Sequence, residues 1–313
     1  MTKVLLSQEI HPSAKKLLED KFEVVTAPDT TQETLIEMVK DVDAIILRTT
    51  SKITREVIEN APKLKIISRT GAGVDNVDLE AAEEKGRIVC NQPGVNNVSV
   101  AEHAVAMILH LSKQLSLMDA SVRGGNWSIR NKNLAVEING KTLGVVGMGK
   151  IGSLVAKLCN ALGMKILAYD PYVSEELKQQ YEFTTLENIF KESDFVTIHC
   201  PNTPETKGMI TEALLNSMKP TAYLINTSRG DVVDEAALIK VLKEKRIAGA
   251  GLDVFHKEPV NSDNELLKLD NVILSPHSAA MTKEATIKLA VGAVNAVIDF
   301  FEGKTPKYIY KGK

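Results

Sequence analysis

The sequence predicts an α/β protein made of two doubly wound parallel-sheet domains with a cleft between them. Three observations lead there. The chain has 313 residues, room for about two domains at ~100–200 residues each. Short β-branched runs alternate with helical patterns, which is the signature of parallel strands joined by crossover helices. That alternation is interrupted once, at the polar Pro- and Gly-containing stretch Asn91–Asn97.

Taken in order, Val4–Leu6, Glu23–Val25, Ala44–Leu47, Ile66–Ser68 and Ile88–Cys90 read as strands, with helical segments such as Pro12–Asp20 and Thr31–Lys40 between them. After the interruption, Ser99 and Glu102 followed by Val100, Ala104, Met107, Ile108 and Leu111 mark a long capped helix. Trp127 is expected to pack in the loop that follows. A second alternation then runs through Thr142–Val146, Ile166–Tyr169, Phe195–His199, Tyr223–Asn226, Ala250–Val254 and Val272–Leu274, six strands suited to a nucleotide-binding sheet. A closing helix extends from about Lys283 to Phe301. The expected division is residues 1–98 with 283–313 as one discontinuous domain and 99–282 as the other.

Composition narrows the function classes. Lys and Arg total 38 against 40 Asp and Glu, a net charge of −2, so there is no electrostatic case for nucleic acid or an anionic membrane surface. The three cysteines, Cys90, Cys159 and Cys200, are an odd number without a CxxC pair, which suggests neither a disulfide framework nor a metal site. No apolar stretch approaches the ~18 residues that span a bilayer. A reducing, cytoplasmic location is expected.

Gly147-Met148-Gly149-Lys150-Ile151-Gly152 follows one predicted strand and opens a helix, the context that a GxGxxG turn needs to cradle a pyrophosphate. Asp170 ends the next strand, close to the ~20-residue spacing of the acid that accepts bonds from the ribose hydroxyls. A carboxylate there repels a 2′-phosphate, and Pro171 and Tyr172 offer no guanidinium to receive one, so NAD is expected rather than NADP.

Arg229, Glu258 and His277 each lie just past a predicted strand end, where a parallel sheet presents residues to its ligand crevice. Beside a nicotinamide, His277 suits proton transfer, Glu258 suits holding the imidazole, and Arg229 suits two-pronged binding of a carboxylate. Spacing alone leaves blander readings open: Arg229 pairing with Asp231, Glu258 solvating a loop, His277 on the surface. Among the other histidines, His103 and His110 share a helix face, His199 at a strand end is expected to shape the cofactor pocket, and His11 and His256 have no partner pattern.

Together, RTGAGVDNVDLEAA (69–82), NQPGVNNVSVAEH (91–103), GVVGMGKIG (144–152), INTSRGDVVDEAAL (225–238), AGLDVFHKEP (250–259) and SPHSAAMTKEA (275–285) resemble the D-isomer-specific 2-hydroxyacid dehydrogenase family, most nearly its phosphoglycerate-oxidising branch. The resemblance implies two Rossmann-like domains, the first for substrate and the second for NAD, and an Arg/Glu/His triad at Arg229, Glu258 and His277. It implies cofactor contacts at Lys150 and Ile151, at Asp170, at Cys200, Pro201 and Thr206, and at Thr227, Ser228, Asp253 and the stretch from His277 to Ala280. Ala279 stands where Gly is common in the family. On the substrate side it implies Ala72 and Gly73 as backbone donors to a carboxylate, an interdomain Asn96, and Arg48 turned toward an anionic tail. A homodimer is implied, its interface formed by the helix near Glu102 and the Trp127 loop. Feedback inhibition through an appended serine-sensing domain is not expected.

The implied reaction is oxidation of 3-phospho-D-glycerate to 3-phosphohydroxypyruvate or the reverse, with reduction of hydroxypyruvate, glyoxylate or another 2-oxoacid as the alternative. The family also contains corepressors that keep the dinucleotide fold; against that reading, this chain retains all three catalytic residues and is expected to lack long disordered flanks for recruiting partners. Formate or phosphite oxidation is disfavoured by the retained GAGVDNVD stretch.

Overall fold

A computed structural model describes residues 1–311 as two compact units, Met1–Asn96 with the chain from Ala280 onward, and Asn97–Ala279. The first holds β1 (Lys3–Leu6), β2 (Glu23–Thr26), β3 (Ala44–Leu47), β4 (Ile66–Arg69) and β5 (Ile88–Cys90) in one sheet, ordered β2-β1-β3-β4-β5. Every pairing is parallel. A parallel sheet is covered on both faces, so its inner strands are mainly apolar, and all four residues of β3 are buried. One face, with Leu5, Ile45, Leu47, Ile67 and Val89, packs on Leu35, Val57, Ile58 and Ala81. The other, with Val4, Leu6, Ala44, Ile46 and Ile66, packs on Ala14 and Leu18 and on Ala293, Val294 and Val297 of the closing helix Lys283–Phe301. That helix starts on Thr282, whose side chain accepts the Ala285 N–H.

The second unit holds β6 (Thr142–Val146), β7 (Lys165–Tyr169), β8 (Glu182–Phe183), β9 (Phe195–Ile198), β10 (Tyr223–Asn226), β11 (Gly249–Leu252) and β12 (Val272–Leu274). Their order, β12-β11-β10-β9-β6-β7-β8, reverses between β6 and β9, the switch point at which doubly wound sheets open a crevice for ligands. Helix Asn97–Lys113 covers one face, placing Ala101, Ala104 and Ile108 with Leu143, Val145, Phe195 and Ile225. The opposite face packs Val196, Ile198, Leu224 and Leu252 against Ile189, Leu215, Leu238 and Val241.

The structure departs from the sequence expectations in three places. This sheet has a seventh strand, β8, whose two residues pair with Leu167 and Ala168 and are too few to carry an alternation signal. The long helix begins at Asn97 and not after a cap at Ser99. Trp127 is 68% exposed on a 3-10 turn, Trp127–Asn131, so it is not packed within its unit. No helix of the described residues is long and apolar enough to cross a membrane.

Candidate active site and nucleotide turn

At the end of β6 the chain turns sharply. Gly147 has φ of +92°, and a Cβ on it would lie 2.9 Å from the Cys200 nitrogen and the His199 carbonyl carbon, so only glycine lets this turn sit against the end of β9. Gly149 caps the helix Lys150–Ala161, leaving its first N–H groups and the positive end of its dipole for an anion. Gly152 lies in that first turn. Asp170, just past β7, accepts the Met148 N–H at 2.8 Å through Oδ2 and the Tyr172 N–H at 2.8 Å through Oδ1. It therefore holds the glycine turn as well as standing where the ribose acid is expected, with a lone pair left on each oxygen. Tyr172 reaches across to donate its hydroxyl to Glu205 at 2.8 Å, and Thr206 folds back on the Pro201 carbonyl at 2.5 Å.

His199 is bonded to the Thr197 hydroxyl at 2.8 Å, and burial pushes its imidazole down to about 3, a neutral ring that borders the nucleotide turn. Burial also pushes the Cys200 thiol up to about 11, which makes it an inert wall. At the end of β10 the Thr227 Oγ1 is buried with no partner in the protein. An orphaned hydroxyl, a cradle that a single Cβ would fill and a free helix N-terminus fit a dinucleotide laid across the strand ends.

The triad residues come from three adjacent strand ends. His277 Nδ1 lies 2.7 Å from Glu258 Oε2, and Glu258 Oε1 accepts the Phe255 N–H at 3.1 Å. Burial would raise the Glu258 carboxyl, but the bond and charge of His277, the Phe255 N–H and the Arg229 charge together hold it below the usual carboxylate range. Arg229 follows β10 in a turn clamped by buried Asn226, whose Nδ2 donates to the Arg229 carbonyl at 2.9 Å and whose Oδ1 accepts the Ser228 N–H at 3.0 Å and hydroxyl at 2.9 Å. Arg229 Nη1 donates to the Ser228 carbonyl at 2.7 Å. The next residue, Gly230, is pressed on the Phe255 carbonyl, where a Cβ would come within 2.0 Å, and this joins the arginine loop to the glutamate loop.

His277 itself has φ of +51°, a costly conformation for a residue with a Cβ. Asp253 holds it there: its carbonyl accepts the His277 N–H at 2.8 Å, and its carboxylate, 1% exposed, accepts the Ser278 and Ala279 N–H groups at 2.8 and 2.9 Å. Ala280 follows directly. Sequence patterns gave no sign of this anchor, of a pair between His256 Nδ1 and Asp231 Oδ1 at 2.6 Å, or of His11 accepting the Ser13 N–H to cap a helix.

The other expected substrate residues, apart from Arg229, lie in the first unit. Arg48 Nη1 donates to the Glu9 carbonyl at 2.9 Å, and the Arg48 backbone N–H reaches Ser7. The Ala72 carbonyl accepts Asn91 Nδ2 at 2.6 Å, and Gly73 follows in the same turn. Asn76 Nδ2 bonds the carbonyls of Arg48 and Ser51 at 3.0 and 2.7 Å, tying the Arg48 loop to the Gly71–Asn76 loop. Asn96 Oδ1 is buried without a protein partner.

Residues 105–279 match the profile of the D-isomer specific 2-hydroxyacid dehydrogenase NAD binding domain. The chain belongs to the D-isomer-specific 2-hydroxyacid dehydrogenase family. Its second unit is the NAD-binding domain of that family. The chain is 44% identical to D-3-phosphoglycerate dehydrogenase of Methanocaldococcus jannaschii over 91% of its own length and 55% of that protein, so it spans about half the length of that relative. It is 42% identical to glyoxylate reductase of Thermococcus litoralis over 97% of this chain and 95% of that one. The D-lactate dehydrogenase structure from Aquifex aeolicus, complexed with NAD and lactic acid, superposes over all of both chains with a TM-score of 0.91 at 34% identity.

Two outcomes follow from this geometry. Asp170→Ala should narrow the preference for NAD over NADP, read as the ratio of kcat/KM values. Equal use of NADH and NADPH by the unaltered protein would contradict the role given to Asp170. Because the folded Glu258 carboxyl lies below its ordinary range, its contribution to stability is complete above the unfolded value and is lost as pH falls through the folded one. Glu258→Gln should remove that part of the acid dependence of urea unfolding. It should also move the pH–rate profile for 2-oxoacid reduction downward, since the imidazolium loses its counter-charge; an unmoved profile argues against the pairing acting in catalysis.

Proposed function

We propose that this protein is an NAD-dependent oxidoreductase that interconverts a D-2-hydroxy acid and its 2-oxoacid, with 3-phospho-D-glycerate and 3-phosphohydroxypyruvate as the leading pair. The observation that carries the reaction is the 2.7 Å bond between His277 Nδ1 and Glu258 Oε2 at the strand ends of the NAD-binding domain. With Nδ1 committed to the carboxylate, Nε2 is the nitrogen left to give a proton to the carbonyl oxygen in reduction and to take it from the hydroxyl in oxidation. NAD, when bound, supplies the hydride acceptor or donor. Arg229 offers a planar pair of N–H groups to the substrate carboxylate and draws charge toward the carbonyl. We assign Gly147, Gly149, Lys150, Ile151 and Gly152 to the pyrophosphate, Asp170 to the ribose, Cys200, Pro201 and Thr206 to the adenosine, and Thr227, Ser228, Asp253, Ala279 and Ala280 to the nicotinamide side. Ala72 and Gly73 are assigned to the substrate carboxylate, and Asn96 to the substrate side.

Phosphorylated substrate is favoured by Arg48. It lines a small cavity in the first unit with His11, Thr49, Thr70 and Thr286, a group of donors suited to an anionic tail. The second reading, reduction of glyoxylate or hydroxypyruvate, is favoured by similarity to glyoxylate reductases over nearly their whole length. A panel of 3-phosphoglycerate, hydroxypyruvate and glyoxylate with NAD(H), ranked by kcat/KM, separates the two. His277→Ala should lower kcat by about 10²–10⁴-fold with little change in NADH binding. Arg48→Ala should cut kcat/KM for 3-phosphoglycerate by about 10–150-fold, as expected for a charged hydrogen bond, and spare glyoxylate. Full turnover by His277→Ala would refute the mechanism, and equal losses on both substrates would refute the tail assignment.

The same reading includes a cytoplasmic homodimer. Its support is a row of exposed apolar side chains on the segment after helix Asn97–Lys113: Leu115, Leu117, Val122, Trp127 and Leu134, the last two 68% and 81% exposed. Sedimentation velocity at micromolar concentration should give a single species of twice the chain mass, and a monomer there would exclude it.

A further inference from the structure

A histidine outside the triad is linked to it through the interior of the NAD-binding domain. His103, on helix Asn97–Lys113, has Nε2 2.9 Å from the Ser275 hydroxyl and 3.8 Å from Asp253 Oδ1, and the hydroxyl, 2.5 Å from the same Oδ1, is the group that hydrogen-bonds both. Asp253 in turn carries the N–H groups of Ser278 and Ala279 and, through its carbonyl, that of His277. A serine hydroxyl has one proton to give. Asp253 accepts two backbone N–H groups and can use that proton as well, so the Ser275 proton goes to Asp253 and the Ser275 oxygen must accept from His103. The proton on His103 therefore sits on Nε2.

We propose that His103 is a positioning residue for the reaction, a reading that rests on the catalytic role proposed for His277. Its Nε2–H fixes the Ser275 hydroxyl toward Asp253 and thereby stiffens the turn that keeps His277 in its left-handed conformation. The outer edge of the relay is open. His103 lines a groove of about 520 Å³ with His110, Met107, Ser116 and Leu266, so its imidazole is reachable by solvent while Asp253 is not. A water replacing the imidazole would restore a donor of no fixed direction, and this is why the effect falls on geometry and not on the fold.

The proton's position is measured on the unaltered protein, without substrate, by ¹⁵N NMR of the histidine side chains: His103 should be the Nε2–H tautomer when neutral. His103→Leu should lower kcat for 2-oxoacid reduction by about two- to tenfold, the range of one net hydrogen bond, with NADH affinity unchanged. His103→Gln, which keeps an N–H donor, should recover most of that loss. Because the effect passes through Ser275, the double variant His103→Leu/Ser275→Ala should be no slower than Ser275→Ala alone. An Nδ1–H tautomer, full kcat in His103→Leu, or additive losses in the double variant would each overturn the proposal. Normal turnover in His277→Ala would instead overturn the catalytic reading and leave the tautomer standing.

Discussion

The site depends on one buried carboxylate. Asp253, 1% exposed, has its carboxylate bonded by two backbone N–H groups and a serine hydroxyl, with the His103 imidazole 3.8 Å away. Burying an ion this way is costly unless each acceptor site is used, and satisfying it here requires the chain after β12 to fold back in one particular path. The left-handed His277 is the product of that path. Its conformational cost is offset by the bonds that the Asp253 carbonyl and carboxylate accept from the N–H groups of residues 277–279, and the imidazole is delivered to Glu258 through Nδ1.

The rest of the centre is assembled on the same plan, with backbone contacts setting the loops and side chains using the result. Asn226 clamps the arginine turn, Gly230 packs it against Phe255, and the Phe255 N–H supports Glu258. Asp170 does the same for the glycine turn by bonding Met148. Groups expected to touch ligands thus also hold the protein, so replacing one of them changes shape together with chemistry.

Much of this was legible in the sequence where the signal is local. Eleven of the strands were legible as short apolar runs alternating with helical patterns, because both faces of a parallel sheet are covered, and the glycine turn with Asp170 was readable from its spacing and its strand–turn–helix context. Arg229, Glu258 and His277 were singled out by their place after strand ends, and the resemblance supplied the roles expected of them. What could not be read is what depends on partners remote in sequence. Asp253 and His103 reach Ser275 across 22 and 172 residues, and no periodicity encodes either bond. Strand β8 was hidden for a different reason: two residues form it, held by pairing with β7 and not by their own propensity.

The discontinuity of the first unit bears on how the protein emerges from the ribosome. One face of the β1–β5 sheet, bearing Val4, Leu6, Ala44, Ile46 and Ile66, is closed by Ala293, Val294 and Val297 of the last long helix. At about 5–20 residues per second, that helix is made many seconds after the sheet it covers. The NAD-binding domain is a single uninterrupted stretch, so its core can close while the Met1–Asn96 part of the first unit still shows an apolar face to water. Synthesis order and folding order are then reversed. During that interval the unfinished sheet, and not the nucleotide domain, is the surface that a chaperone holding nascent chains would have to guard.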